Sequence, residues 1–215
     1  MRNKTFKKVL VTVLATVLMA TSIAPTTVEA SSKKDKTKPT VQVKVAGTSK
    51  YKTIKKKKMQ YYNKTIRIKA YDKSGIEKVQ VKYTYWSKKK RTEISSTKTY
   101  KRGTITLTKE GEYKITATDN NGNRKVVNVI IDKKKPTITV KDFSKQYGTV
   151  FINVVDETGN LSGALDYVLI AGRKIKIDGH QYCTGVYSSD FGKGTHTIVA
   201  YDKAGNKTTK TFTIK

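Results

Sequence analysis

The chain has 215 residues, with 45 Lys and Arg against 16 Asp and Glu, a formal net charge of +29, two His and one Cys. A single cysteine excludes an intrachain disulfide framework and any multi-cysteine metal site. The charge is uneven. Residues 31–135 hold 31 basic and eight acidic residues, whereas 136–215 hold ten and seven. An asymmetry of that size points to an anionic partner for the first half.

At the N-terminus, Arg2, Lys4, Lys7 and Lys8 precede an apolar stretch from Val9 to Ala24, interrupted by Thr12, Thr16, Thr21 and Ser22. Val28-Glu29-Ala30 follows, a small-x-small cleavage site. This pattern predicts a signal peptide over residues 1–30 and an exported, secreted chain. The apolar stretch falls short of the roughly 20 residues of a membrane span, so the mature chain is expected to cross no membrane. Few cysteines in an exported chain fit a bacterial source. Residues 31–38 are polar and lack a core pattern, which predicts a disordered basic leader.

A duplication organises the rest. Lys38-Pro39-Thr40-Val41-Gln42-Val43 matches Lys135-Pro136-Thr137-Ile138-Thr139-Val140. The spacing predicts two tandem domains, 39–132 and 136–215, joined by a linker at 133–135. Within each the apolar period is two: Val41, Val43 and Val45; Ile66, Ile68 and Ala70; Val79, Val81, Tyr83 and Tyr85; Ile105 and Leu107; Tyr113, Ile115 and Ala117; Val127, Val129 and Ile131. The second half repeats it at Ile138 and Val140, Val150 to Val154, Tyr167 and Leu169, Ile175 and Ile177, His196 to Ala200, and Phe212 and Ile214. Such alternation predicts all-β, antiparallel sheets with one buried face, and no helix. Residues 178–192 have no clear period and read as a loop or a poorly patterned strand pair.

Turn signals separate these runs. Asp72-Lys73-Ser74-Gly75 and Asp156-Glu157-Thr158-Gly159 lie early in each module, and Asp119-Asn120-Asn121-Gly122-Asn123 and Asp202-Lys203-Ala204-Gly205-Asn206 lie late. Gly122 and Gly205 supply the positive φ that a tight hairpin needs. The segments Gly111–Asn123 and Gly194–Asn206 resemble the closing hairpin of bacterial immunoglobulin-like domains. That resemblance implies two tandem immunoglobulin-like antiparallel β-sandwiches after the signal peptide. It also implies a corner hydrogen bond from Tyr113, at whose place the second module has His196.

The candidate functional residues are basic. Lys55, Lys56, Lys57 and Lys58, then Lys88, Lys89, Lys90 and Arg91, then Lys101 and Arg102, all fall in predicted loops. Surface lysines also serve solubility and guard sheet edges, but the excess far exceeds the net charge of about 2–8 that a small domain needs. The expected role is electrostatic attraction to an anionic polymer such as teichoic acid, glycosaminoglycan or extracellular DNA. Tyr61, Tyr62, Tyr83, Tyr85 and Trp86 lie close by in sequence; Tyr83 and Tyr85 share core parity with Val79 and Val81, and Trp86 does not.

No other chemistry is expected. The late turns are too sparse in carboxylates for a calcium loop, so no metal or cofactor is assigned. Cys183 reads as a buried apolar residue. His180 and His196 belong to no catalytic motif, and adjacent Asp156 and Glu157 point to opposite faces. The expectation is a non-enzymatic, surface-associated binding or structural protein, associated with the cell wall. A freely secreted adhesin for a host protein or glycan, or an accessory partner of a separate enzyme, are the alternatives. The last residues, Thr211–Lys215, carry no anchor signal.

Overall fold

Alternation becomes strand almost wherever it occurs in the computed structural model, which describes residues 35–215 apart from 56–57, 102 and 157–163. The predicted signal peptide and residues 31–34 of the leader lie outside the described residues. The first half contains β1 (Thr40–Val45), β2 (Lys52–Thr53), β3 (Gln60–Tyr62), β4 (Ile66–Tyr71), β5 (Ile76–Ser87), β6 (Thr92–Tyr100), β7 (Thr104–Leu107), β8 (Gly111–Asp119) and β9 (Arg124–Ile131). They form a four-stranded sheet ordered β2-β1-β4-β7 and a five-stranded sheet ordered β3-β9-β8-β5-β6.

Between these sheets lies one core. Val41, Ile66, Ile68 and Ile105 come from the first sheet, and Val79, Ile115, Val127 and Ile131 from the second. Burying each such side chain contributes about 1.5–3 kcal/mol relative to leaving it exposed. Their polar neighbours in the alternation, such as Lys44, Arg67, Lys82 and Lys114, are left on the outer faces.

The second half contains β10 (Thr137–Phe143), α1 (Ser144–Tyr147), β11 (Thr149–Val155), β12 (Leu165–Ile170), β13 (Arg173–Gly179), β14 (Gln181–Tyr187), α2 (Ser188–Phe191), β15 (Gly194–Asp202) and β16 (Lys207–Ile214). Its sheets are ordered β10-β11-β14 and β13-β12-β15-β16. They enclose a separate core built on Val150, Ile152, Val168, Ile170, Ile198 and Phe212. The late turns close β8–β9 and β15–β16. Gly122 N–H donates to Asp119 O and Gly205 N–H to Asp202 O, both at 3.1 Å, with φ of 83° and 87°.

The structure corrects the sequence expectation in three places. The sheets are not wholly antiparallel, because β3 pairs with β9 in parallel; three residues are too few for alternation to show. Two single-turn helices exist, α1 and α2, too short for helical periodicity, and the chain leaves α1 through Gly148 in the left-handed region. Of the two readings left open for 178–192, strand is the one that holds, because β14 pairs along its length with β11. Cys183 is exposed rather than buried, since the inward positions of β14 fall to Tyr182 and Val186. The early turn of the second module lies largely outside the described residues. That of the first forms as expected, with Ser74 N–H and Oγ both donating to Asp72 Oδ1.

The corner hydrogen bond forms in both halves. Tyr113 Oη donates to Lys109 O at 2.8 Å. His196 Nε2 lies 3.0 Å from Gly192 O, the same four-residue reach. Only a ring N–H can bond a carbonyl there, which puts the proton on Nε2. Burial pushes the Tyr113 phenol far above its ordinary range. His196 is only partly covered and packs on Phe191 and Phe212.

Candidate functional site: basic faces and aspartate clusters

The loop lysines do not converge. Lys88–Arg91 form the tip of the β5–β6 hairpin, where Arg91 adopts φ 48°. Lys101 lies past the far end of β6, a nine-residue strand that spans about 30 Å at ~3.3 Å per residue. Lys55 and Lys58 precede β3, on the opposite edge of the five-stranded sheet from β6. All of these side chains are exposed. Lys56, Lys57 and Arg102 lie outside the described residues.

The sequence reading missed the cations on the sheet faces. On the four-stranded sheet Lys44 stands directly opposite Arg67, with Lys69 one row further along the same face. On the five-stranded sheet Lys82 stands directly opposite Lys114. Directly opposed residues have Cβ atoms about 4.5–5.5 Å apart, and like charges there are destabilising. Lys44 Nζ sits 5.9 Å from the Tyr51 ring centroid. Among the described residues no carboxylate pairs with Lys44, Arg67, Lys69, Lys82 or Lys114; the ion pair of this half is Lys78 with Glu77. The signal was present in the sequence as the polar positions of Val43-Lys44-Val45 and Ile66-Arg67-Ile68-Lys69, but the register that opposes them was not.

The second half has no such opposed cations among its described strand pairs. Its outer β10-β11-β14 face instead shows exposed Phe143, Phe151 and Tyr187, with exposed Tyr147 on α1. Phe143 and Phe151 meet edge to face at 5.7 Å.

A second arrangement recurs at one end of each half. Carboxylate oxygens of Asp35, Asp72 and Asp119 lie within 4.8 Å of one another, as do those of Asp132, Asp156 and Asp202. The late turn organises both. Asp119 accepts from Asn121 N–H, Asn123 N–H and Asn123 Nδ2 at 2.7–2.9 Å, and Asp202 accepts from Asn206 N–H and Nδ2 at 2.8 and 2.7 Å. The same amides staple the incoming chain, Asn123 Nδ2 to Asp35 O and Asn206 Nδ2 to Asp132 O.

Burial holds the Asp202 carboxyl above the usual carboxylate range. The Asn206 hydrogen bonds oppose that shift, and neighbouring Asp132 adds to it. Hydrogen bonds from Thr37 pull Asp35 the other way. Three clustered carboxylates are the ligand chemistry of a hard cation, which takes about six to eight oxygens; a bound proton relieves the same repulsion. The sequence reading considered only the late turns and left out Asp35 and Asp132. Their signal is a repeated phrase, Asp35-Lys-Thr-Lys-Pro39-Thr and Asp132-Lys-Lys-Lys-Pro136-Thr.

No family model matches the chain, and no curated protein matches it. Among solved structures, a surface glycan-binding protein B from the Bacteroides ovatus mixed-linkage glucan utilization locus, in complex with a mixed-linkage heptasaccharide, is 12% identical. The match covers 76% of this chain and 45% of that one at a TM-score of 0.23. The chain thus spans less than half of that protein's length, and a likeness so slight places no site. No helix among the described residues is long and apolar enough to cross a membrane.

Proposed function

We propose that the chain is an exported, non-catalytic binding protein of the bacterial surface, built from two immunoglobulin-like modules, whose first module holds an anionic polymer. The observation that carries this reading is the pair of unneutralised cross-strand contacts, Lys44 opposite Arg67 and Lys82 opposite Lys114. Each costs the free protein stability, and a polyanion laid on the face removes that cost. Solubility alone does not require cations to face each other across paired strands; scattered, alternating charges serve it as well. The separation of the loop lysines fits a long ligand that touches several surfaces rather than a compact one. Lysine, a point charge on a flexible stem, suits charge matching more than geometric recognition.

The test is a stepwise salt wash of intact producing cells. Retention at low salt and release as salt rises is expected, because screening weakens contacts between exposed charges. Protein already free in the medium at low salt would overturn wall retention.

A second reading has its own observation. The exposed Phe143, Phe151, Tyr187 and Tyr147 of the second module favour contact with a host protein or glycan, a contact that survives salt because it is apolar.

A further inference from the structure

An open cleft of about 530 Å³ lies on the first module, beneath the overhang of the β5–β6 hairpin. It follows from strand length and pattern. β5 has twelve residues and β6 nine, while the facing edge strand β7 has four. The inward positions of β6 opposite Val81 and Tyr83 are Lys98 and Ser96; a serine is too small to fill the gap, and a lysine keeps its charged head in water. The hairpin therefore extends past the core and leaves a space that stands open among the described residues.

The lining is mixed in a particular way. Tyr83 forms a fixed wall: it is stacked between Tyr85 at 5.2 Å and Tyr113 at 4.8 Å, and its hydroxyl donates to Glu110 O at 2.7 Å. Tyr100 adds a half-buried ring, with Lys98 Nζ 5.2 Å from its centroid. Lys109 adds a second exposed cation, and Ser96 and Thr108 add exposed hydroxyls. Aromatic surface offers an apolar face, hydroxyls exchange hydrogen bonds with other hydroxyls, and ammonium groups attract an acid. An ammonium held at a ring face has already shed water on that side, so its remaining donors meet an anion at lower cost.

We propose that this cleft is a subsite for one acidic pyranose unit, with its acid at Lys98 and Lys109, its hydroxyls at Ser96 and Thr108, and its ring against Tyr100. The inference rests on the polyanion reading and narrows it, since the polymer must then carry sugar rings as well as charge. A pocket of this volume lies within the range that small ligands occupy.

The full mature chain is titrated by calorimetry with four probes: an oligouronate, a sulfated oligosaccharide, a neutral oligosaccharide of equal length, and polyphosphate, which has charge and no ring. Tyr100→Ala is expected to weaken the two acidic oligosaccharides roughly tenfold, about 1.4 kcal/mol, and to leave polyphosphate unchanged. Ser96→Phe, which fills the cleft and keeps every charge, is expected to do the same if Tyr100→Ala melts early. The stronger of the two acidic probes identifies the acid as carboxylate or sulfate. Equal binding of the neutral oligosaccharide, or equal losses for polyphosphate, overturns the subsite. Failure of the parent reading looks different: polyphosphate then fails to bind the wild-type chain at all.

Discussion

The two halves share one plan and spend their outer surfaces differently. Each encloses an apolar core between two sheets, closes with an Asp-x-x-Gly-Asn hairpin, and staples its incoming chain through the last Asn of that turn. Yet the first sets cations opposite cations across its strands, and the second exposes aromatic rings on one sheet. Inward positions are constrained by packing, so they are alike in kind. Outward positions are free of that constraint, and it is there that the halves differ.

The largest effects expected are in the cores, and they test whether the halves are thermodynamically separate. Ile115 and Ile198 are both fully buried, one in each core. Truncating either to Ala is expected to cost about 2–5 kcal/mol. If the halves fold separately, Ile115→Ala lowers only one of two calorimetric transitions and Ile198→Ala only the other. A single transition that both variants shift equally would show the two cores melting as one unit.

The corner bond sharpens the comparison at smaller scale. Tyr113→Phe keeps the ring and removes the hydroxyl that bonds Lys109 O, at an expected cost of about 1 kcal/mol. His196→Phe removes the matching bond from a site that water reaches, so its cost is expected to be smaller. Chemical denaturation of both variants checks the order; a larger loss at His196 would mean that burial does not set the strength of this corner.

Much of this was legible in the chain itself. Apolar alternation located most long strands, because burial on one sheet face imposes a period of two; it missed β6, whose residues are almost all exposed, and β14. The doubled Lys-Pro-Thr phrase stands at the entry to β1 and again at the entry to β10. What escaped depends on pairs distant in sequence. Asp35, Asp72 and Asp119 come from the leader, an early turn and a late turn, and no local pattern joins them. The opposition of Lys82 to Lys114 depends on strand register, which a one-residue slip would abolish. The parallel β3–β9 contact rests on three residues, too few to carry a period.

The aspartate clusters yield a prediction about pH. Asp202 has a raised folded-state pKa, so its contribution to stability is present below the unfolded carboxyl value and is lost as pH rises through the folded one. Melting temperature is therefore expected to carry a component that declines above about pH 4 and is missing from Asp202→Asn. Millimolar calcium is expected to offset that decline in the wild type, since a cation relieves the repulsion that a proton otherwise relieves. Melts that calcium leaves unmoved would assign the relief to the proton alone.

The smallest effect bears most directly on function, because its sign differs between the free and the bound protein. Lys82→Gln removes one member of an opposed pair on an exposed sheet face. Without ligand the variant is expected to be more stable by about 0.2–1 kcal/mol, the usual size of a cross-strand pair term. With polyphosphate bound it is expected to lose more than it gained, since one neutralising contact disappears, and the slope of affinity against salt becomes shallower. The control is Lys174→Gln in the second module, where the lysine faces Leu169 across its strand pair and its ammonium sits 3.8 Å from the Tyr167 ring centroid. That change removes a favourable contact and is expected to lower stability with no change in polyanion affinity. Equal behaviour of the two variants would mean that the opposed cations of the first module are ordinary surface charge, and the distinction between the two halves would then lie in the aromatic face alone.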